Sequence, residues 1–164
     1  MVKIFPIVFV LLWSSAFITT KPIVDNSDPF TALAFRFFVV AIGFYLFSIY
    51  LRQSVIVSKK NLIECFFSGV LFHGFYLGGV FYSISIGMPT GIAALIVTLQ
   101  PILTNILSGP ILNEKVSIKQ WIGVLLGFLG ASLVLGLEIG SNIPLLGLVA
   151  TIVALISILS LIHI

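Results

Sequence analysis

The sequence predicts an all-α polytopic helical membrane protein, and three observations support this fold class. Of the 164 residues, 60% are hydrophobic and only 8% are charged, whereas an ordinary soluble domain carries about 25% charged residues. The apolar residues form six long blocks, and a helix needs about 20 such residues to cross the hydrocarbon core of a bilayer. These blocks are continuously apolar, which favours helices over the alternating strands of a membrane barrel.

Each apolar block predicts one membrane span, and each gap between blocks contains charged or helix-breaking residues. The gaps are short, so successive spans are expected to run antiparallel as helix hairpins; the third gap is only Met88-Pro89-Thr90. The six predicted spans are Ile4–Thr20, Phe30–Leu51, Phe66–Gly87, Gly91–Leu112, Ile118–Leu137 and Pro144–Ile164.

The basic residues of the loops predict the orientation of the chain. Seven basic residues lie in the N-terminal tail and the loops, and antiparallel spans divide them between the two faces of the membrane. One face has Lys21 alone, offset by Asp25, Asp28 and Glu138. The opposite face has Lys3, Arg52, Lys59, Lys60, Lys115 and Lys119. Loops rich in Lys and Arg stay in the cytoplasm. We therefore expect a multi-pass protein of the cell inner membrane with a cytoplasmic N-terminus.

Several function classes find no support in the sequence. Phosphate-binding glycine loops, zinc-protease motifs and cysteine pairs at metal-binding spacing are absent, and the chain has one cysteine and two histidines. The net charge of +3 is too sparse for a nucleic-acid surface. We expect no catalytic residues, no cofactor, no metal site and no nucleic-acid partner.

Arg36 is the strongest single candidate for a binding residue, because it lies inside the second predicted span. A guanidinium within the membrane costs several kcal/mol unless it reaches the headgroups, pairs with another group or contacts water. Two interpretations remain open. Arg36 extends to the outer headgroups, or it faces a cavity where it binds a carboxylate or phosphate or pairs with another helix.

The fourth and third spans add further candidates. Thr98, Pro101 and Asn105 share one helix face with Gly91, Ala94 and Ser108, and this stripe is either a packing face or a cavity wall. In the third span, His73, Tyr76 and Ser83 lie near one face. His73 either relays protons or is hydrogen-bonded inside the bundle.

The first and fifth spans carry two different signals. Trp13, Ser14 and Phe17 of the first span are candidate pocket residues, since a tryptophan well inside a span is unlike a headgroup anchor. Gly123 and Gly127 of the fifth span are spaced four residues apart, which predicts close packing against a neighbouring helix.

Four segments together resemble the drug/metabolite transporter superfamily, in particular its EamA-type members. The resemblance covers about residues 4–137 and depends on the order, spacing and loop charges of the segments. They are LLWSSAFITTKPIV, DPFTALAFRFFVVA with arginine seven residues after its proline, YSISIGMPTGIAALIVTLQPILTNIL, and LNEKVSIKQWIGVLLGFLGASLVL.

The resemblance implies ten helices in two inverted five-helix repeats, with a substrate cavity between them that opens alternately to each side. Residues 1–137 would form the first repeat, 138–143 a linker, and 144–164 the start of a truncated second repeat, so that the missing repeat or a dimer completes the cavity. The implied function is exporter-like secondary transport of a small metabolite, such as amino acids or related compounds, with the lipid bilayer as the other partner. The alternative is a non-transporting membrane scaffold or assembly subunit.

Overall fold

The computed structural model describes residues 4–53, 58–112, 115–135 and 142–163, and all secondary structure in these ranges is helical. The predicted fold class, an all-α polytopic membrane protein, is confirmed. Helices 1 to 4 are long and apolar enough to cross a membrane, and helices 5 and 6 are shorter and equally apolar. The helices are 1 (Phe5–Asn26), 2 (Pro29–Tyr50), 3 (Lys59–Ser85), 4 (segments Thr90–Val97 and Gln100–Leu112), 5 (Ile118–Leu135) and 6 (Leu145–Leu159).

Two helix boundaries differ from the predicted spans. Helix 1 continues past Thr20 to Asn26, through Pro22, since membrane helices tolerate an internal proline where other groups satisfy the backbone carbonyl that it frees. The Asn26 side-chain amide donates to the Pro22 carbonyl at 2.8 Å. Helix 3 begins at Lys59, well before the predicted Phe66, because the Ser58 hydroxyl accepts a hydrogen bond from the Asn61 N–H at 3.2 Å and caps it. The predicted linker 138–143 lies outside the described residues except for its last two positions, which are not helical.

Helix 2 begins at a charged cap that lies outside the membrane-spanning segments. The Asp28 carboxylate accepts the Thr31 N–H at 2.9 Å and the Thr31 hydroxyl at 3.1 Å. The bond from the backbone N–H of Thr31 is the main reason that the pKa of the exposed Asp28 carboxyl is below its usual value. Asp28 therefore stays ionised at the helix N-terminus, where a negative charge is favourable.

Helices 3 and 4 both depart from regular α-helix in their middle. Residues Val70–Leu77 of helix 3 form a π-helix, a wider conformation that occurs frequently at functional sites. Helix 4 is interrupted at Thr98 and Leu99, just before Pro101, because proline has no N–H to donate to the preceding turn. The stripe predicted on helix 4 is therefore divided between two segments.

The buried core lies where helix 6 packs against helix 3 and the first segment of helix 4. A Cβ built on Gly79 of helix 3 would lie 2.8 Å from the Ala150 carbonyl oxygen and 3.1 Å from the Ala154 Cβ of helix 6. Gly147 of helix 6 also lies close to the end of helix 3 and the turn after it, since its Cβ would be 3.5 Å from the Ser83 carbonyl oxygen and 3.3 Å from the Met88 Cβ. The two backbones thus approach each other as closely as small residues allow.

Helix 5 packs against both segments of helix 4, and the packing predicted from its glycines is wrong in the part of the chain that the structure describes. A Cβ added at Gly123 or at Gly127 meets nothing within 4 Å. Among the described glycines, the tightest contacts therefore join helix 6 to helix 3 and the turn after it.

We predict that Gly79→Ala destabilises the protein by about 2 kcal/mol relative to Gly127→Ala, because only the first added methyl group forces helix backbones apart. Both substitutions gain the same helix propensity of about 1 kcal/mol, so this term cancels in the comparison. The measurement is unfolding of each variant in mixed micelles as the dodecyl sulfate fraction rises, followed by far-UV circular dichroism. Equal midpoints for the two variants would contradict the close contact between helices 3 and 6.

Candidate functional site

A partly open cavity lies among helices 1, 2 and 3 and has a volume of about 240 Å³. Its walls are largely aromatic and aliphatic, with one guanidinium and one imidazole. The lining residues are Phe9, Leu12, Trp13, Ala16, Phe17, Thr20, Arg36, Phe37, Phe72, His73, Tyr76, Leu77, Val80 and Phe81.

Helical spacing brings the cavity residues of helix 1 together. Phe9, Trp13 and Phe17 are four residues apart and therefore share one helix face, on which the Phe9 and Trp13 rings stack with centroids 5.6 Å apart. Helix 3 contributes Phe72, His73 and Tyr76 from its π-helical part. Phe72 and His73 are adjacent in this segment, and both line the cavity.

The His73 ring contacts phenylalanine rings from two helices, and the residue stays exposed on its remaining side. Its centroid lies 4.3 Å from that of Phe37 on helix 2 and 4.9 Å from that of Phe72, which it meets edge-on. Phe72 also contacts Tyr76, with ring centroids 5.4 Å apart. Tyr76 is buried with 2% of its surface exposed. These contacts form a connected aromatic wall on one side of the cavity.

Arg36 supplies the permanent charge of the cavity. It lies about 10 Å along helix 2 from Pro29, at 1.5 Å per residue, and its guanidinium carbon is 5.9 Å from the centroid of the Phe37 ring. The ion pairs among the described residues join Lys21 to Asp25 and Lys60 to Glu64. Since no lining residue is acidic, the guanidinium is available to an anion that enters the cavity.

A second, more open groove shares one wall with the cavity. It is lined by Gln100, Pro101 and Thr104 of helix 4 and by Ile158 and Leu161 near the end of helix 6. Its other lining residues, Phe9, Trp13 and Phe72, also line the cavity. These three rings therefore separate the two spaces.

The structure brings together some of the predicted site residues and separates others from the cavity. Trp13, Phe17, Arg36, His73 and Tyr76 line the cavity together, and Pro101 lines the neighbouring groove. The predicted residues outside both spaces are Ser14, Ser83, Thr98 and Asn105.

The hydroxyl groups among these outlying residues are satisfied within their own helices. The fully buried Ser83 donates to the Val80 carbonyl at 2.8 Å, and Thr98 donates to the Ala94 carbonyl at 2.7 Å. Ser14 lies on the exposed side of helix 1. Asn105 differs from these residues, because its buried side-chain nitrogen has no hydrogen-bond partner among the described residues.

Several cavity residues were not predicted from the sequence, notably Phe9, Phe37 and Phe72. The spacing of Phe9 and Trp13 by four residues, and of Phe72 and Tyr76 by four, is a signal that could have found two of them. Phe37 follows Arg36 directly and carries no comparable pattern, because adjacent helical residues normally face different directions.

The cavity lining is mostly apolar, with few polar side chains. In the described parts of the chain, histidine, cysteine and carboxylate side chains do not cluster as they would around a metal ion. An apolar enclosure with few polar groups is typical of a small-molecule site. The fold defines a multi-pass helical membrane protein, and helices 1, 2 and 3 form a partly open cavity within it.

The chain belongs to the EamA-like transporter family, whose sequence model matches residues 2–136. It is 30% identical to the uncharacterized transporter YdfC of Bacillus subtilis over 75% of this chain and 40% of the relative. It is also 29% identical to an uncharacterized transporter of Archaeoglobus fulgidus over 74% of this chain and 42% of that protein. The chain thus spans about two fifths of the length of these relatives, and no solved structure matches it significantly.

Proposed function

We propose that this chain forms part of a secondary transporter that moves a small metabolite across the inner membrane by alternating access. The observation that carries the proposal is the cavity of about 240 Å³ inside the bundle, with Arg36 among apolar walls. A charged side chain at membrane depth is costly and typically marks a substrate or ion pathway. The names of the relatives, which are called uncharacterized transporters, agree with this function.

The expected cargo is a metabolite the size of an amino acid, moved in an exporter-like direction. A cavity of this volume holds about eight water molecules at roughly 30 Å³ each, which is the scale of a molecule with ten or so non-hydrogen atoms. We propose that Trp13, Phe17, Arg36, His73 and Tyr76 contact it. Pro101 lines the adjoining groove, and the unpaired Asn105 amide offers a further donor in helix 4.

We further propose that residues 1–137 act as one repeat and residues 144–164 as the start of a second, inverted repeat. Transport then needs a second five-helix unit facing the first, as in other inverted-repeat transporters. Further residues like those of the longer relatives, or a second copy of this chain, would supply that unit.

The transport proposal predicts flux that depends on the second unit. We expect proteoliposomes with the 164-residue chain alone to release no preloaded metabolites, and a version extended by four further helices to release them. Release by the short chain would show that a second copy completes the path. No release from either version, in a screen of amino acids and related acids, would contradict transport and favour a membrane scaffold.

We predict that Arg36→Gln in the transporting form slows the flux of acidic substrates about tenfold or more and that of neutral substrates less than twofold. A charge-assisted hydrogen bond contributes roughly 1.5–3 kcal/mol, and a neutral substrate does not form it. The matched control is Arg52→Gln, since Arg52 follows the end of helix 2 and is not part of the cavity lining. If the substitution slowed the flux of acidic and neutral substrates equally, Arg36 would instead contact the lipid headgroups.

The proposed cytoplasmic N-terminus predicts a labelling pattern. In a Cys65→Ser background, Ser58→Cys at the start of helix 3 should be protected from an impermeant thiol reagent added to intact cells. Asn26→Cys at the end of helix 1 should react, because the two exposed sites lie on opposite sides of the membrane. Cells opened by detergent, in which both cysteines react, provide the control, and the reverse pattern would overturn the orientation.

A further inference from the structure

The cavity combines one permanent positive charge with several aromatic faces, and this combination restricts the ligands that it can bind. We propose that its ligand is a flat aromatic monocarboxylate, whose carboxylate binds Arg36 and whose ring packs among Trp13, Phe72 and Tyr76. This inference rests on the proposed transport function and names the substrate class of that same cavity.

The charge of the cavity calls for a single anionic group. Arg36 stays protonated at any physiological pH, and its planar guanidinium binds a carboxylate through two parallel hydrogen bonds. The cavity lining contains no other permanently charged side chain and no acid. A monoanion is therefore neutralised in the cavity, whereas a second carboxylate would have no cationic partner there.

The aromatic walls favour a ring over an aliphatic body. Trp13 comes from helix 1 and retains 40% of its surface exposed, so its face is available, while Phe72 and Tyr76 enter from helix 3. The rings already present meet at tilted and edge-on angles. A bound ring extends these contacts, since aromatic pairs contribute beyond their buried area in offset or edge-on geometry.

The same lining disfavours a zwitterion of equal size. The ammonium of an α-amino acid is one carbon away from its carboxylate, so it would lie beside the Arg36 guanidinium and be repelled by it. None of the lining side chains is a carboxylate that could offset this charge, and an unpaired charge is costly to bury. An aromatic acid without the amino group therefore binds more tightly than the corresponding amino acid.

Binding can be measured directly, because Trp13 is one of only two tryptophans in the chain. In the Trp121→Phe variant, Trp13 is the one tryptophan of the chain, so its fluorescence, corrected for that of empty nanodiscs, reports on the cavity. The full chain is reconstituted in phosphatidylcholine nanodiscs and titrated with 3-phenylpropanoate. Three matched probes follow: 3-cyclohexylpropanoate keeps the charge without the π system, 3-phenylpropanamide keeps the ring without the charge, and phenylalanine adds the ammonium.

We expect 3-phenylpropanoate to have the lowest Kd. The Kd of the cyclohexyl acid should be about fivefold higher, as the loss of ring contacts predicts, and those of the amide and of phenylalanine about tenfold higher or more. Arg36→Gln should remove the preference for the acid over the amide. Phe72→Leu should remove the preference for phenyl over cyclohexyl, and Phe75→Leu, outside the cavity lining, should change neither.

Two results would overturn the inference and leave the proposed transport function standing. If the cyclohexyl acid or phenylalanine bound as tightly as 3-phenylpropanoate, the cavity would bind small acids without selecting an aromatic monocarboxylate. If phosphatidylglycerol in the nanodiscs abolished binding at unchanged folding, a lipid phosphate would be the partner of Arg36. No response to any probe, together with no flux in proteoliposomes, would instead contradict the transport function itself.

Discussion

The bilayer offers no water to the polar groups of a helix, and this constraint governs where the polar side chains of this protein donate. A hydroxyl inside the hydrocarbon must find an acceptor, and the nearest is a carbonyl one turn back along its own helix. Hydroxyls of both buried and exposed residues do this throughout the bundle. The residues concerned include Ser15, Thr20, Ser83, Thr98, Ser108, Ser132, Thr151 and Ser157.

Because these hydroxyls donate to their own helices, the helices are held together by close packing rather than by hydrogen bonds between these side chains. The closest approach is at Gly79, where the carbonyl oxygen of Ala150 occupies space that a side chain would need. A few polar groups differ from these hydroxyls, because they have no hydrogen-bond partner within their own helix. Among the described residues, Arg36 and the side-chain nitrogen of Asn105 are such groups, and the ligand chemistry that we propose for the cavity depends on the guanidinium.

The apolar blocks were sufficient to predict the helices. A helix that crosses the hydrocarbon core must be apolar along its length, whichever helices it packs against. The helix ends were harder to predict, because Pro22 is tolerated inside helix 1 and Ser58 caps helix 3 outside its apolar block. The candidate site likewise contains residues that the sequence predicted and residues that it did not. Arg36, Trp13, Phe17 and Tyr76 were recognisable by residue type, whereas Phe9, Phe37 and Phe72 were not predicted. Ser83 and Thr98 lie outside the cavity lining, and the sequence does not reveal that their hydroxyls donate to their own helices. The π-helical turn that presents both Phe72 and His73 to the cavity had no sequence signal.

The turn between helices 3 and 4 has a consequence for how the chain enters the membrane. Gly87 adopts a φ of 96° there, a conformation that glycine adopts without steric cost, and residues 86–89 span at most about 14 Å even when fully extended. In the proposed orientation, this turn must cross to the outer face. The far end of helix 3 can reach that face only if the start of helix 4 crosses with it. In that orientation, the short turn at Gly87 limits how far apart the end of helix 3 and the start of helix 4 can be while the chain is inserted.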